Sequence, residues 1–178
     1  MSIIALDLGT TTGWAASSGE SKINSGVWKC KADRFAGGGM RFLRFRELLN
    51  SLHGAFVPIE QIAYEEVRAH RGVDAAHAYG GYLATLQAWC EENSIPYEGV
   101  PVGTIKAHCT GKGNASKEAM MIHVRKLGYW PKTDDEADAI ALLRYVLDQK
   151  KECGHAGIEE SVARSNGSDS PQGRVAAG

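Results

Sequence analysis

The sequence lacks the features that define several large classes of protein. It has few cysteines and no C-x-x-C pair; the four are Cys30, Cys90, Cys109 and Cys153. This scatter favours reduced thiols in a cytosol over a disulfide framework or a zinc site, although His108-Cys109 and Cys153-x-His155 leave a small allowance for metal. The chain also has no signal peptide and no apolar run of membrane-spanning length. We therefore expect a protein that is soluble and cytoplasmic.

The chain also lacks an excess of charge of either sign. A formal net charge of −1 argues against a histone-like positive coat, but it leaves room for a local basic stripe beside gathered acids. With 178 residues, 43% of them hydrophobic, the chain is long enough for one α/β domain with a core and too short for two large lobes.

The order of elements predicts an α/β fold with a central mixed five-stranded sheet. Strands are predicted at 3–8, 12–17, 23–29, 61–67 and near 97–101, and helices at 40–53, 75–93, 116–127 and 134–150. The three arginines of the first helix, Arg41, Arg44 and Arg46, are typical of a solvated face. From Glu152 onward the sequence has few large apolar residues, so we predict an ordered domain over 1–151 and a disordered tail over 152–178.

The first strand, "IIALDLG", carries a single carboxylate in an apolar run. An unpaired charge inside a covered sheet is expensive to desolvate, so Asp7 needs a compensating group. A cage of hydrogen bonds from the following Gly-Thr turn would serve, and so would a bound cation. The segment alone does not decide between them.

Two further segments place acids where core residues are expected. In "YEEV", only one of Glu65 and Glu66 can share a face with Asp7, because successive strand side chains point to opposite sides. In "TDDEADAIALL", Asp135 and Asp138 are three apart on a helix and can reach one point. Asp134 with Asp138 would also fit, and Thr133 or Asp134 could be the helix N-cap.

Carboxylates that converge from rigid elements suit hard divalent cations such as Mg²⁺, and a pair of ions about 3.5–4 Å apart can catalyse phosphodiester hydrolysis. Between the last strand and the 116–127 helix, "VGTIKAHCTGKGNASK" adds Lys106, Lys112 and Lys117 around a Gly-rich turn that precedes a helix N-terminus. Such a place favours phosphate. The segment is not a Walker A loop. The residues therefore predict a two-metal phosphodiesterase.

The motifs resemble those of the RuvC-type Holliday junction resolvases of the RNase H-like superfamily over most of residues 3–147. The matching segments are "ALDLGTTTGWA", "YEEV", the P-x-x-x-I-K of 101–106, the G-x-G-x-A-x-K of 111–117 and "DEADAIAL". The resemblance implies a Mg²⁺-dependent endonuclease, with Mn²⁺ as a substitute and two ions per site, acting as a homodimer on four-way or branched DNA. A phage-type member in a bacterial or phage-infected cell would look like this.

Carried over by position, the resemblance implies four metal ligands: Asp7, Glu65, Asp135 and Asp138. It also implies that Lys106 and Lys117 act on the phosphate and its transition state, and that roughly residues 74–92 form a dimer helix in which Gly80, Gly81 and Ala84 permit close approach. The sequence departs from the family at Arg68, where cellular members usually carry an aromatic residue. Arg68 can stack on bases or hold phosphate, so we add it to the predicted DNA-binding residues Lys106, Lys112 and Lys117.

Three other functions compete with junction resolution. "DLGTT" is also the phosphate-loop signature of the actin, Hsp70 and sugar-kinase superfamily, but those proteins need a second lobe. A catalytically silent module that binds branched DNA has no reason to hold costly acids near phosphates. An RNase H-like nuclease acting on flaps or RNA–DNA hybrids remains the main competitor.

Overall fold

The computed structural model describes residues 1–18, 22–69 and 72–165. Its first three strands form an antiparallel meander. The strands are β1 (Ser2–Asp7), β2 (Thr11–Ser18) and β3 (Lys22–Lys29). Two further strands, β4 (Ile59–Glu66) and β5 (Tyr97–Pro101), run parallel to β1. The order across the sheet is β3-β2-β1-β4-β5, which confirms the predicted mixed five-stranded α/β sheet.

The helices follow the predicted order with one addition. They are α1 (Met40–Phe56), α2 (Val73–Asn93), α3 (Val102–Thr110), α4 (Lys117–Lys126) and α5 (Asp134–Ser165). The prediction missed α3, because the glycines and polar residues of 102–116 read as a loop. Only 111–116 is a turn. Gly111 ends α3 in the left-handed conformation at φ 76°, which a glycine adopts without steric cost.

The two faces of the sheet carry different side chains because strand residues alternate. On one face Ile4, Leu6 and Leu8 pack with the apolar sides of α1 and α2 in the main hydrophobic core. The other face carries Ile3, Ala5 and Asp7 on β1. Ala5 pairs with alanines of both neighbouring strands, and all three are fully buried, so this second face is lined by small side chains.

Helix α5 approaches the small-residue face of the sheet at Gly13. A Cβ placed on Gly13 would lie 1.9 Å from the carbonyl oxygen of Asp135, so only glycine permits this approach. Gly13 pairs with Asp7 across β1 and β2, so the first turn of α5 lies over the strand position of that carboxylate. The sheet face therefore fixes where the acids of α5 stand.

The chain divides into two compact units, Met1–Val146 and Leu147–Gly178. The first contains the sheet, α1 to α4 and the start of α5. In the second, α5 runs to Ser165, so residues 152–165 of the predicted tail are helical, while 166–178 lie outside the described residues. The predicted division at residue 151 stays a prediction.

Two further observations concern the state of the cysteines and the hydropathy of the helices. Cys30, Cys90 and Cys109 are buried and form no disulfide within the described residues, and the side chain of Cys153 lies outside the described part. Among the described helices, none combines the length and hydropathy needed to cross a membrane.

Candidate active site

The carboxyl ends of β1 and β4 bring two acids together. The parallel register pairs Leu6 with Tyr64, so Asp7 and Glu65 come one step further along and point to the same face. Burial raises the pKa of Asp7 well above its usual range, and the charge of Glu65 raises it further. Glu66 points away, and its carboxylate accepts a hydrogen bond of 3.1 Å from Nε of Arg68. The structure thus brings Glu65, and not Glu66, to Asp7.

Helix α5 adds two acids to this pair. The charges of Asp138 and Asp135 also raise the pKa of Asp7, in that order after Glu65. Burial raises the pKa of Glu65 to about 7, with Asp138 as the next cause. The pKa values of Asp135 and Asp138 are themselves raised by burial. Four carboxylates from three elements therefore share one region, and each lies in an environment that disfavours its charge.

Two lysines supply positive charge to the same region. The charges of Lys106 and Lys117 lower the pKa values of Glu65 and Asp138, which opposes the effect of burial. Lys106 stands on α3, directly after β5, and is half-buried. Lys117 is the first residue of α4, whose N-cap Ser116 accepts a hydrogen bond of 3.2 Å from the N–H of Ala119. The missed helix and this cap explain how two lysines of an apparent loop reach the acids.

Lys112 and Arg68 stand apart from this group. Lys112 is exposed in the turn after α3, where its N–H donates to the hydroxyl of Thr110 at 3.3 Å. Arg68 is exposed just after β4 and pairs with Glu66. Both are accessible, and their predicted contacts with DNA stay predictions.

The sequence left the role of Asp134 open between cap and ligand, and the structure gives it a different contact. Thr133 is the N-cap of α5, because its hydroxyl accepts from the N–H of Glu136 at 3.2 Å. Asp134 accepts a hydrogen bond of 3.4 Å from Nζ of Lys117. Burial lowers the pKa of Lys117, but its hydrogen bond to Asp134 and the charges of Asp134, Asp138 and Asp135 together outweigh burial, so the net pKa is raised. Asp134 thus faces Lys117.

Glu136 is a buried acid that the sequence reasoning missed. It accepts 2.8 Å hydrogen bonds from the hydroxyl of Ser25 on β3 and from the N–H of Lys132. These contacts tie the first turn of α5 to the edge strand of the meander. The T-x-x-E spacing of Thr133 and Glu136 is a capping-box pattern, which could have identified Glu136 as a structural residue.

The donor set fits a hard divalent cation in its chemistry, since it consists of carboxylate oxygens whose charges are poorly compensated. Within residues 1–18, 22–69 and 72–165, however, no three acidic, His or Cys side chains stand close enough together to hold a metal ion. Holding one would require the carboxylates to come closer together than they stand in this structure. The backbone arrangement places them on elements that face the same point.

The fold and the acids at its carboxyl edge define the RNase H-like class of α/β domain. Within that class the chain is similar to Thermus thermophilus RuvC. One structure of that protein, 25% identical, covers 85% of this chain and 97% of its own length with a TM-score of 0.68. A second, described as a complex with a Holliday junction substrate, is 24% identical, covers 80% and 90%, and has the same TM-score.

A yeast mitochondrial Holliday junction resolvase shares the fold at 16% identity, covering 79% of this chain and 75% of its own, with a TM-score of 0.54. No protein-family model and no curated protein sequence matches the chain. The likeness is therefore carried by structure, and it identifies a RuvC-type fold.

Proposed function

We propose that this protein is a crossover junction endodeoxyribonuclease, which resolves four-way DNA junctions by metal-dependent hydrolysis of phosphodiesters. The observation that carries the proposal is the convergence of Asp7, Glu65, Asp135 and Asp138 with Lys106 and Lys117 at one edge of a RuvC-type sheet. The similarity to a RuvC structure determined with a Holliday junction substrate supports the choice of DNA.

In this proposal the four carboxylates hold one or two divalent cations, Mg²⁺ or Mn²⁺. The bound ions would activate water and stabilise the leaving oxygen. The carboxylates that now repel one another would gain a counter-charge, which offsets their desolvation. Lys106 and Lys117, whose charges act on the same carboxylates, would hold the phosphate there and stabilise the charge that develops in the transition state.

Paired cutting further requires a homodimer, and α2 offers an exposed face for it. Gly80 has open space around its Cα, and Ala84 is exposed. Gly81 does not belong to this face, because a Cβ there would lie 2.3 Å from the ring of Phe42 on α1. The absence of a side chain at Gly81 therefore serves packing against Phe42 within the chain, and the proposed dimer contact rests on Gly80 and Ala84.

The experiment is cleavage of a labelled four-way junction, a flap and an RNA–DNA hybrid, each with Mg²⁺, Mn²⁺ or EDTA. We expect symmetric junction cleavage with either metal and none in EDTA. Asp7→Asn should reduce cleavage by at least about 100-fold while junction binding persists, since it removes a charged ligand at constant shape. Asp134→Asn is the matched control, because its exposed ion pair contributes little. Cleavage of the hybrid alone, or cleavage by Asp7→Asn near the wild-type rate, would refute the proposal.

A further inference from the structure

The segment between β3 and α1 presents an aromatic ring to solvent. Phe35 is 95% exposed, the largest exposed fraction among the large apolar side chains of the described residues. Single exposed apolar side chains are ordinary on protein surfaces. Phe35 differs because of the conformation that holds it and the charges around it.

Phe35 occupies the corner of a β-turn. The N–H of Ala36 donates to the carbonyl of Asp33 at 3.0 Å, so Arg34 and Phe35 are the two central residues of the turn. The guanidinium of Arg34 lies 5.9 Å from the centre of the Phe35 ring. An arginine and an aromatic ring therefore project together from the turn.

Two arginines of α1 anchor this turn although three glycines follow it. Arg44 donates to the carboxylate of Asp33 at 2.6 Å and also to the carbonyl of Lys31. Arg41 donates from Nε to the carbonyl of Gly38 at 3.0 Å. Both ends of the segment are thus tied to one helix, and the ring stands on an ordered base.

The segment begins beside the proposed active site. The N–H of Cys30 donates to the carbonyl of Thr10 at 2.8 Å, and Thr10 belongs to the turn that directly follows Asp7 and β1. Phe35 is five positions after Cys30, which limits the distance between their Cα atoms to about 18 Å. β3 ends at the same edge of the sheet as β1 and β4, so the segment leaves the sheet at the edge that carries Asp7 and Glu65.

The charges of the segment suit a nucleic acid. Residues 31–44 contain four cationic side chains, and their one carboxylate, Asp33, is paired with Arg44. Aromatic rings stack on unpaired bases without regard to sequence, and arginines beside them contact the backbone phosphates. A protein partner with an apolar groove would have no use for this excess of positive charge.

We propose that the Arg34–Phe35 turn is a DNA-contact site in which Phe35 stacks on an unpaired base and Arg34 holds the adjacent phosphate. The site rests on the proposed function for the presence of branched DNA at this edge. It adds a contact outside the carboxylates and lysines, and it favours substrates in which bases are unpaired near the cut.

The test compares binding of an oligonucleotide single strand, a perfect duplex and a four-way junction in EDTA, where no cleavage occurs. Phe35→Ala should weaken single-strand binding by about 5- to 50-fold and duplex binding by less than twofold, because only unpaired bases offer a face to the ring. Phe35→Trp should retain the wild-type affinity. Phe35→Leu should behave like Phe35→Ala, which separates stacking from general apolar contact. Leu43→Ala, at another exposed apolar residue of the same region, is the matched control.

Arg34→Ala should weaken binding to all three DNAs and reduce the slope of log affinity against log salt by about 1. The inference is overturned if Phe35→Ala binds single strands like the wild type or if Phe35→Leu restores binding. Wild-type cleavage of junctions together with normal single-strand binding by Phe35→Ala would refute this site alone. Loss of single-strand affinity in a protein that never cuts junctions would refute the proposed function and leave the site standing.

Discussion

At the residue scale, the site consists of acids whose burial in the folded protein disfavours their charged form. The pKa of Glu65 is raised to about 7, first by burial and then by Asp138, and Asp7 and Asp138 lie in similar surroundings. Such groups lower the free energy of unfolding at every pH at which they are ionised in the unfolded chain. A sequence retains buried acids of this kind when their function outweighs that cost.

The pH dependence of stability tests this electrostatic picture. The raised pKa of Glu65 means that the metal-free folded protein binds an extra proton between pH about 4.5 and about 7, so its stability falls as the pH rises through that window. The difference in unfolding free energy between Glu65→Gln and wild type should therefore grow by about 1–3 kcal/mol in favour of the variant as the pH rises from 5 to 8. Urea denaturation in EDTA measures it.

Glu66→Gln is the control for this series, since Glu66 pairs with Arg68 at the surface. It should lack the gain in unfolding free energy that is expected of Glu65→Gln, because Glu66 does not stand among the other acids. In cleavage assays the order is the same, with Glu65→Gln far more damaging than Glu66→Gln. Loss of cleavage in Glu66→Gln would show that the strand register at the site is wrong by one residue.

Substitution of two lysines should distinguish an effect on the cleavage rate from an effect on DNA binding. Lys117→Ala should lower the cleavage rate at saturating junction by about 10- to 100-fold, because its ammonium group lies among the acids and acts as charge develops on the phosphate. Lys112→Ala, in the exposed turn, should weaken binding with little effect on the saturating rate. Single-turnover kinetics measure both. If both variants lost only binding affinity, and to the same extent, Lys117 would contribute only general attraction to the DNA backbone.

At the scale of elements, the site depends on how α5 meets the sheet. Gly13 allows the helix to approach, and Glu136 ties its first turn to Ser25 on β3. Asp135 and Asp138 take their positions from this docking, whereas Lys106 takes its position from the middle of α3 and Lys117 from the start of α4. The proposed catalytic groups are thus placed on or directly after regular elements.

Gly13→Ala tests the docking of α5. The added methyl group would meet the backbone of Asp135 at 1.9 Å, so the helix must shift, and we expect a loss of about 1–3 kcal/mol of unfolding free energy together with reduced cleavage. Gly54→Ala is the matched control, since nothing lies within 4 Å of its new Cβ in α1. It should be neutral or stabilising by up to about 1 kcal/mol. Unchanged stability in Gly13→Ala would contradict the described approach.

At the scale of the whole molecule, a four-way junction has two-fold symmetry and one chain supplies one set of acids. Matched nicks on two strands therefore require the same site twice, which a two-fold dimer provides. In the proposed dimer, two copies would meet at the exposed small residues of α2, Gly80 and Ala84.

Mixed dimers of wild type and Asp7→Asn should bind junctions and nick only one strand. On a supercoiled plasmid with an extruded cruciform, paired cuts yield linear DNA and single cuts yield nicked circles, so gel electrophoresis distinguishes them. Ala84→Glu should convert the protein to a monomer in sedimentation, since it places two carboxylates at the proposed contact. Linear product from purified mixed dimers would exclude paired cutting by a symmetric dimer.

The sequence by itself determined the sheet, most of the helices and the acids. Alternating and helical apolar patterns depend on local burial, and they gave the order of strands and helices to within a few residues. Strand alternation allowed only one of Glu65 and Glu66 to meet Asp7, and the resemblance to the RuvC-type motif indicated Glu65, which the register places beside Asp7. These features are local, so a window of sequence contains the information that decides them.

Only the tertiary structure decided the contacts between distant segments. Helix α3 was hidden by Gly103, by its polar residues and by the Gly-rich turn after it, and its position follows from packing beside β5 and α4. Gly13 reads as a turn or strand-end residue until α5 is seen against it, and Gly81 reads as a dimer residue until the Phe42 ring is seen against it. Asp134 reads as a cap until Lys117 is placed beside it. The contacts of these glycines and of Asp134 join residues that are remote in sequence, and close approach in space is a property that no local pattern contains.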